Sequence, residues 1–282
     1  MAGLALHLFG YPRILLDGAP VDIRRRKEIA LVAYLAITQR PQSRDTLADL
    51  LWPGYGQTSA RANLRRTLSS LNRSLGSNWL AVNREQVALA QQDGAWIDVI
   101  DFQDRLAELE THPHDNIPFD SDDLASLKAV VQLYEDDFLA GFSLLDAPDF
   151  DGWQVQQSES LRRQLAGALE RLARYLAADQ NYSEAFVHAR RWMEQDPLHE
   201  PAQRMLMRLY AQSGDRAVAL RQYEECVRVL AAELCMEPEA ETTALFEQIR
   251  AGEIAAESEL LNSSCYRESA VEESMGHSLQ LW

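Results

Sequence analysis

The segment Thr58–Gly76, TSARANLRRTLSSLNRSLG, constrains the fold of this chain more than any other. Leu64, Leu68, Leu71 and Leu75 recur at the three-and-four spacing of a helix buried along one face. At about 100° per residue, Ala62, Arg66, Ser69 and Arg73 fall on the opposite face, with Arg61, Arg65 and Asn72 on the flank. A helix of this kind needs a small core beneath its leucines and leaves guanidinium groups and small side chains outward. That suits a helix reading the major groove of DNA, and it also suits a surface helix whose arginines are solvated. The neighbouring elements decide between the two.

The net charge of −16 argues at first sight against nucleic acid. That value averages two unlike parts. Residues 1–96 carry a net of +5 and the remainder −21. Phosphate binding depends on the local field, so the basic part can still meet DNA, while the acidic part is free to meet proteins. Cys226, Cys235 and Cys265 are scattered without metal spacing and fit a reducing cytoplasm, the first two packed against helices. Met1–Gly10 lacks a basic leader and a long apolar stretch, so no signal peptide is expected. No run approaches the roughly 18 apolar residues of a transmembrane helix, so no membrane partner is expected.

The elements around the arginine-bearing helix follow a definite order. Leu4–Phe9 alternates like a strand, Arg13–Leu16 is a second, and Asp17-Gly18 between it and Pro20–Ile23 is a turn signal. Arg24, Arg25, Arg26 and Lys27 open a helix that ends before Pro41. A second helix runs Ser43–Trp52, with Ser43 as its N-cap and Pro53-Gly54 as its stop. After the arginine-bearing helix, Trp79–Val82 and Gln86–Leu89 flank Asn83-Arg84-Glu85 as strand, turn and strand. Three strands, three helices and a hairpin make a winged helix-turn-helix, an α+β domain over residues 1–96. In that arrangement the third helix is the reader and Arg84 lies near the wing tip. Ser43 and Arg44 begin the second helix, where free backbone N–H groups favour a phosphate. The expected DNA-binding set is therefore Arg24, Arg25, Arg26, Lys27, Ser43, Arg44, Arg61, Arg65, Arg66, Ser69, Arg73 and Arg84, to which the family resemblance below adds Asn63. Within it, Arg24–Lys27 either touch phosphate or shield a helix end. Arg73 touches backbone or is solvated. Asn63 either contacts DNA or is a buried hydrogen-bonding residue. Arg65 and Arg66 are the best placed for bases. Trp52 and Trp79 are core residues.

The run RRRKEIALVAYLA…SRDTLADLLWP…ARANLRRTLSSLNRSLG…WL resembles the N-terminal domain of the Streptomyces antibiotic regulatory protein (SARP) family over nearly all of residues 4–96. The resemblance implies an OmpR-type winged helix that binds direct repeats upstream of promoters. It also implies a reading helix at about Ser59–Leu75, onto which Arg61, Asn63, Arg65, Arg66 and Arg73 carry over. Larger members of the family continue into a nucleotide-binding module, and this sequence has no GxxxxGK[ST].

Residues 97–252 read as an all-α tetratricopeptide-like domain. Helices are expected at Asp98–Glu110, Ser121–Tyr134 and Ser158–Ala178, the last with a stripe of Leu161, Leu165, Leu169, Leu172 and Leu176. Asp136–Trp153, with Gly141, Pro148 and Gly152, reads as a broken stretch. Asn181–Ala185 and Asp215–Ala219 each open a helix pair, and Ala185 and Ala219 lie 34 positions apart. Asp196-Pro197 and Glu237-Pro238 punctuate both pairs. Stacked pairs of this kind bury their shared faces and leave a curved surface for another protein. Tyr182, Trp192, Tyr210 and Tyr223 read as packing residues. About Trp96–Ile249 resembles the second part of the same family, the bacterial transcriptional activation domain. His112 and His114 lack a second pair of ligands and read as plain loop, so no metal is expected. Residues 253–282 read as a flexible tail.

No GxSxG, HExxH or glycine-rich phosphate loop is present, so neither an enzyme nor a cofactor is expected. The reading is a cytoplasmic transcriptional activator whose partners are double-stranded DNA, RNA polymerase and a second protomer. The alternative is a helical-repeat adaptor whose winged helix does not bind DNA.

Overall fold

β1 (Leu4–His7) turns Leu4 and Leu6 inward and keeps Ala5 and His7 half-exposed, the period-two pattern of a strand with one buried face. These contacts come from a computed structural model that describes residues 3–76, 78–90, 95–111 and 121–254. The expected loop with His112 and His114, Cys265, and the tail beyond Ile254 lie outside the described residues. β1 pairs antiparallel with β2 (Arg13–Leu16), Leu6 opposite Ile14. β2 continues through Asp17 and Gly18, at φ 54 and 79, into β3 (Ala19–Pro20). The third strand is shorter than the expected Pro20–Ile23: after the Val21 N–H donates to the Ile14 carbonyl at 2.9 Å, the Ile23 N–H turns back to the Val21 carbonyl at 3.0 Å and the chain leaves the sheet. β7 (Ala95–Ile97) lies on the free edge of β1 in parallel, giving the sheet order β3-β2-β1-β7.

α1 (Arg26–Thr38) follows, then β4 (Gln42–Ser43), α2 (Arg44–Leu51) and α3 (Gln57–Leu75). α1 starts two residues later than the arginine run suggests, with Arg25 extended at its N-cap. Ser43 caps α2 as expected, its Oγ accepting the Thr46 N–H at 3.0 Å. Leu31, Leu35, Leu47, Leu51, Leu64, Leu68, Leu71 and Leu75 are all buried. Trp52 and Trp79 join this core. The hairpin of β5 (Leu80–Val82) and β6 (Gln86–Leu89) pairs back onto β4, so the wing is a three-stranded sheet, β4-β6-β5.

The chain divides into two compact units, residues 1–165 and 166–282. The first takes in the winged helix together with α4 (Asp98–Thr111), α5 (Ser121–Leu133) and the start of α6 (Pro148–Ala178). The joins are specific. Asp98, buried at the start of α4, accepts the N–H groups of Leu8 at 2.7 Å and Phe9 at 2.9 Å. Gly10 donates to the Asp137 carbonyl at 2.9 Å and Leu139 to that of Leu8 at 2.8 Å, setting Phe9 opposite Phe138. Phe9, Phe102 and Tyr134 form one aromatic cluster, while Tyr34, Phe138 and Phe150 surround the Trp153 ring. The broken stretch therefore ends at Ala147, and α6 begins ten residues before the expected Ser158. Pro148 fits the first turn of a helix, where no N–H is needed, and Gly152 lies inside the helix.

The second unit holds α7 (Tyr182–Gln195), α8 (Glu200–Gln212), α9 (Arg216–Leu234) and α10 (Ala240–Ala251). Ala185 and Ala219 occupy matching buried positions of α7 and α9, as the repeat predicts. Met207 and Ala211 of α8, Ala219 of α9 and Leu245 and Ile249 of α10 form one core shared by the three helices. Trp192 packs on His199, Tyr210 on Phe186, and Tyr223 stacks on Phe246 at 4.2 Å. Cys226 is buried, and burial together with the Glu200 carboxylate pushes its thiol up to about 11. Cys235 is exposed rather than packed: it is the left-handed C-cap of α9, φ 54, where the chain turns away from the helix.

Candidate nucleic-acid interface

An open trough of about 970 Å³ runs between the front of α2, the flank of α3 and the wing. Its walls bring together Ser43, Arg44, Arg61, Arg65, Ser69 and Arg84, six of the residues expected to meet DNA. Local folding places each one. The Asn83 Oδ1 accepts the N–H groups of Glu85 at 2.8 Å and Gln86 at 2.7 Å, which folds the wing turn and leaves Arg84 exposed at its tip. Arg44 ties the wing to α2: its N–H donates to the Glu85 carbonyl and its Nη1 to the Asn83 carbonyl, each at 2.9 Å. Arg61 forms a two-pronged ion pair with Asp45 of α2, Nε to Oδ1 at 2.5 Å and Nη2 to Oδ2 at 2.6 Å. That guanidinium holds the Asp45 carboxyl below the usual carboxylate range. Arg65, Arg73 and Arg84 are exposed and have no hydrogen-bond or ion-pair partner among the described residues.

The expected basic cluster is divided rather than single. Consecutive residues on a helix diverge by about 100°, so Arg65 and Arg66 face different sides of α3. Arg66 lies with Asn63, Arg25, Arg26 and Lys27 along a second groove of about 710 Å³ that also includes Trp52, Tyr55 and Leu145. Arg66 donates to the Asn63 Oδ1 at 3.1 Å, so the half-buried Asn63 is a hydrogen-bonding residue on this side. Arg26 donates to the Ser143 carbonyl at 2.9 Å and lies over the Phe142 ring, and Lys27 pairs with Asp146 at 2.7 Å. Arg24 pairs with Asp22, and Arg25 stands 3.8 Å from Glu28. Arg26 and Lys27 thus anchor the start of α1 to the segment before α6, while Arg24 and Arg25 pair with neighbouring acids. The open N–H groups expected at the start of α2 are also partly engaged, since Ser43 caps Thr46 and Arg44 donates to Glu85.

Asn72, expected on the flank of α3, also lines the trough, together with Asp45, Val82 and Glu85, which were not expected there. Asp45 and Arg61 are 16 positions apart on different helices, and no periodicity relates them. The only available signal was an acid one residue after a basic helix start, which reads equally well as an ordinary first-turn carboxylate. Among the described residues no group of His, Cys, Asp and Glu could hold a metal, and no helix is long and apolar enough to cross a membrane.

A family model described as the bacterial transcriptional activator domain matches residues 97–250. The chain belongs to the bacterial transcriptional activator domain family. As a member of that family it is a transcription regulator rather than an enzyme, and its resemblance to the SARP regulators holds. Among solved structures it is similar to Mycobacterium tuberculosis EmbR, determined in complex with a low-affinity phosphopeptide. The two share 23% identity at a TM-score of 0.73, over 89% of this chain and 66% of that one. The chain thus spans about two thirds of the EmbR chain. The likeness establishes the fold, a winged helix followed by a helical activator domain. No curated protein matches the chain.

Proposed function

We propose that this activator-domain protein binds double-stranded DNA in the cytoplasm, at direct repeats near promoters, through α3 and the wing. Its helical domain meets RNA polymerase or a second protomer. The observation that supports this reading most is the trough, where Arg44, Arg61, Arg65 and Arg84 converge from three elements on one concavity next to the exposed flank of α3. Contacts from α2 and the wing to phosphate fix register, and the side chains of α3 reach base edges. The acidic remainder, at −21, is unsuited to DNA and suited to proteins.

A mobility-shift titration on the chain's own upstream region tests the reading. With about five phosphate contacts, the observed binding constant should fall with salt at a log–log slope of roughly −4 to −5. Replacing Arg65 and Arg66 together by Glu should abolish binding and leave the fold intact, since both side chains are exposed. Salt-insensitive binding, or no binding by the wild-type chain, would sink the proposal. Capture of a protein partner that survives the double replacement, without DNA binding, would favour the adaptor instead.

A further inference from the structure

We propose that Arg61 is the guanine-reading residue of the trough and that Asp45 is its positioning residue. This rests on the DNA-binding reading above and adds which arginine discriminates and what makes it do so. The argument begins with the donor count. A guanidinium has five N–H groups, and Asp45 takes one on Nε and one on Nη2 of Arg61. Both N–H groups of Nη1 and the second on Nη2 are left over. The Nη1 and Nη2 donors share the far end of the fork, the pair that spans the O6 and N7 acceptors of guanine in the major groove. Asp45 therefore occupies one edge of the fork and leaves the reading edge open.

Position supports the same assignment. Arg61 lies in the first third of α3 (Gln57–Leu75), and the leading residues of a recognition helix are those that reach base edges. A guanidinium already held in one plane loses less freedom on binding than a free one. Arg65 has no such support: its exposed side chain can follow any phosphate but is not held to one base. Asp45 also places a carboxylate in a basic trough, where it repels phosphate. An acid there weakens binding to every duplex and is repaid only where Arg61 finds its guanine, so it trades affinity for discrimination.

The opposing signs make the test decisive. Duplexes selected from a random pool by the full chain supply a bound site, its single-base-pair variants and an unrelated control. Dissociation constants are then measured at one salt concentration. Arg61→Ala should flatten the preference at one G·C position by roughly 5- to 150-fold, the span of one bidentate contact. Asp45→Ala should flatten the preference at that same position while binding to the unrelated duplex stays equal or tightens. Asp45→Asn, nearly isosteric, should move in the same direction. The double variant should be no less selective than Arg61→Ala alone, since the two residues act as a unit. A merely structural role for Asp45 would instead weaken binding to all duplexes equally, and that result overturns the proposal. So does an intact preference at the position that Arg61→Ala flattens. Wild-type binding with an undisturbed preference in Arg61→Ala removes this assignment alone; no wild-type binding to any duplex removes the DNA-binding reading as well.

Discussion

At Asp137 the Arg162 guanidinium engages both carboxylate oxygens, with Nε 2.7 Å from Oδ1, and the Tyr134 hydroxyl donates to Oδ1 at 3.0 Å. The Arg162 hydrogen bonds hold this carboxyl below the ordinary aspartate value of 3.8, outweighing the opposite effect of burial. Asp98 shows the reverse balance: burial raises its value, and the N–H groups of Phe9, Leu8 and Val99 only offset part of that. The two residues therefore act oppositely on stability. The Asp137 contribution is present above 3.8 and is lost as pH falls through its depressed value, while that of Asp98 is fullest below 3.8 and is lost as pH rises through its raised one. Arg162→Ala should cost about 1–2 kcal/mol near neutrality, between the worth of an exposed pair and a buried one. Urea unfolding should show that difference shrinking as the pH drops below 3.8 and Asp137 protonates. A difference that stays constant into acid would show that the charge of Asp137 does not carry it.

The helices differ in how much of their setting is their own. α3 carries its amphipathic pattern internally, and all four of its stripe leucines are buried as the spacing predicts. α10 depends on its neighbour. Its N-cap residue, Glu239, has no side-chain cap, and Glu200 of α8 supplies the acceptor in its place. The Glu200 carboxylate takes the Glu239 N–H at 2.9 Å and the Thr242 hydroxyl at 2.5 Å. Arg204 reinforces the join, donating to Glu239 at 2.7 Å and to Thr242 at 2.9 Å. Glu200→Ala strands the buried Thr242 hydroxyl and frees the Glu239 N–H, and should cost about 3 kcal/mol, the loss of charged hydrogen bonds at a helix start. Hydrogen exchange should then show the amides of α10 losing protection before those of α8. Unchanged protection of α10 would rule out the clamp.

At the scale of the molecule, the winged helix shares its first strand with the chain that follows it. Its first strand is completed by β7, by the Asp98 carboxylate and by the Asp137–Leu139 segment, and Phe9 lies among rings from Phe102 and Tyr134. A fragment of residues 1–96 lacks nearly all of these. It should melt without a cooperative transition, whereas residues 1–165, the whole first unit, should show one by circular dichroism. A sharp melt of the shorter fragment would show that the join is dispensable.

Periodicity and turn chemistry are local, and they account for what was legible in the sequence. The leucine face of α3, the Asp17-Gly18 turn, the Ser43 cap and the paired Ala185 and Ala219 each depend on residues a few positions apart, or on a repeat of them. A pattern of this kind tells which face of an element is apolar and where the element stops. It does not tell which distant group meets the other face. The pairing of β7 with β1, the separation of Arg65 from Arg66 into two grooves, the use of Arg26 and Lys27 as anchors and the hold of Asp45 on Arg61 all join residues far apart in the chain. The sequence by itself determined most of the elements, their order and the basic residues proposed to meet DNA. Only the tertiary structure decided which arginines remain free, because a guanidinium's nearest carboxylate is set by how helices pack and not by spacing along the chain.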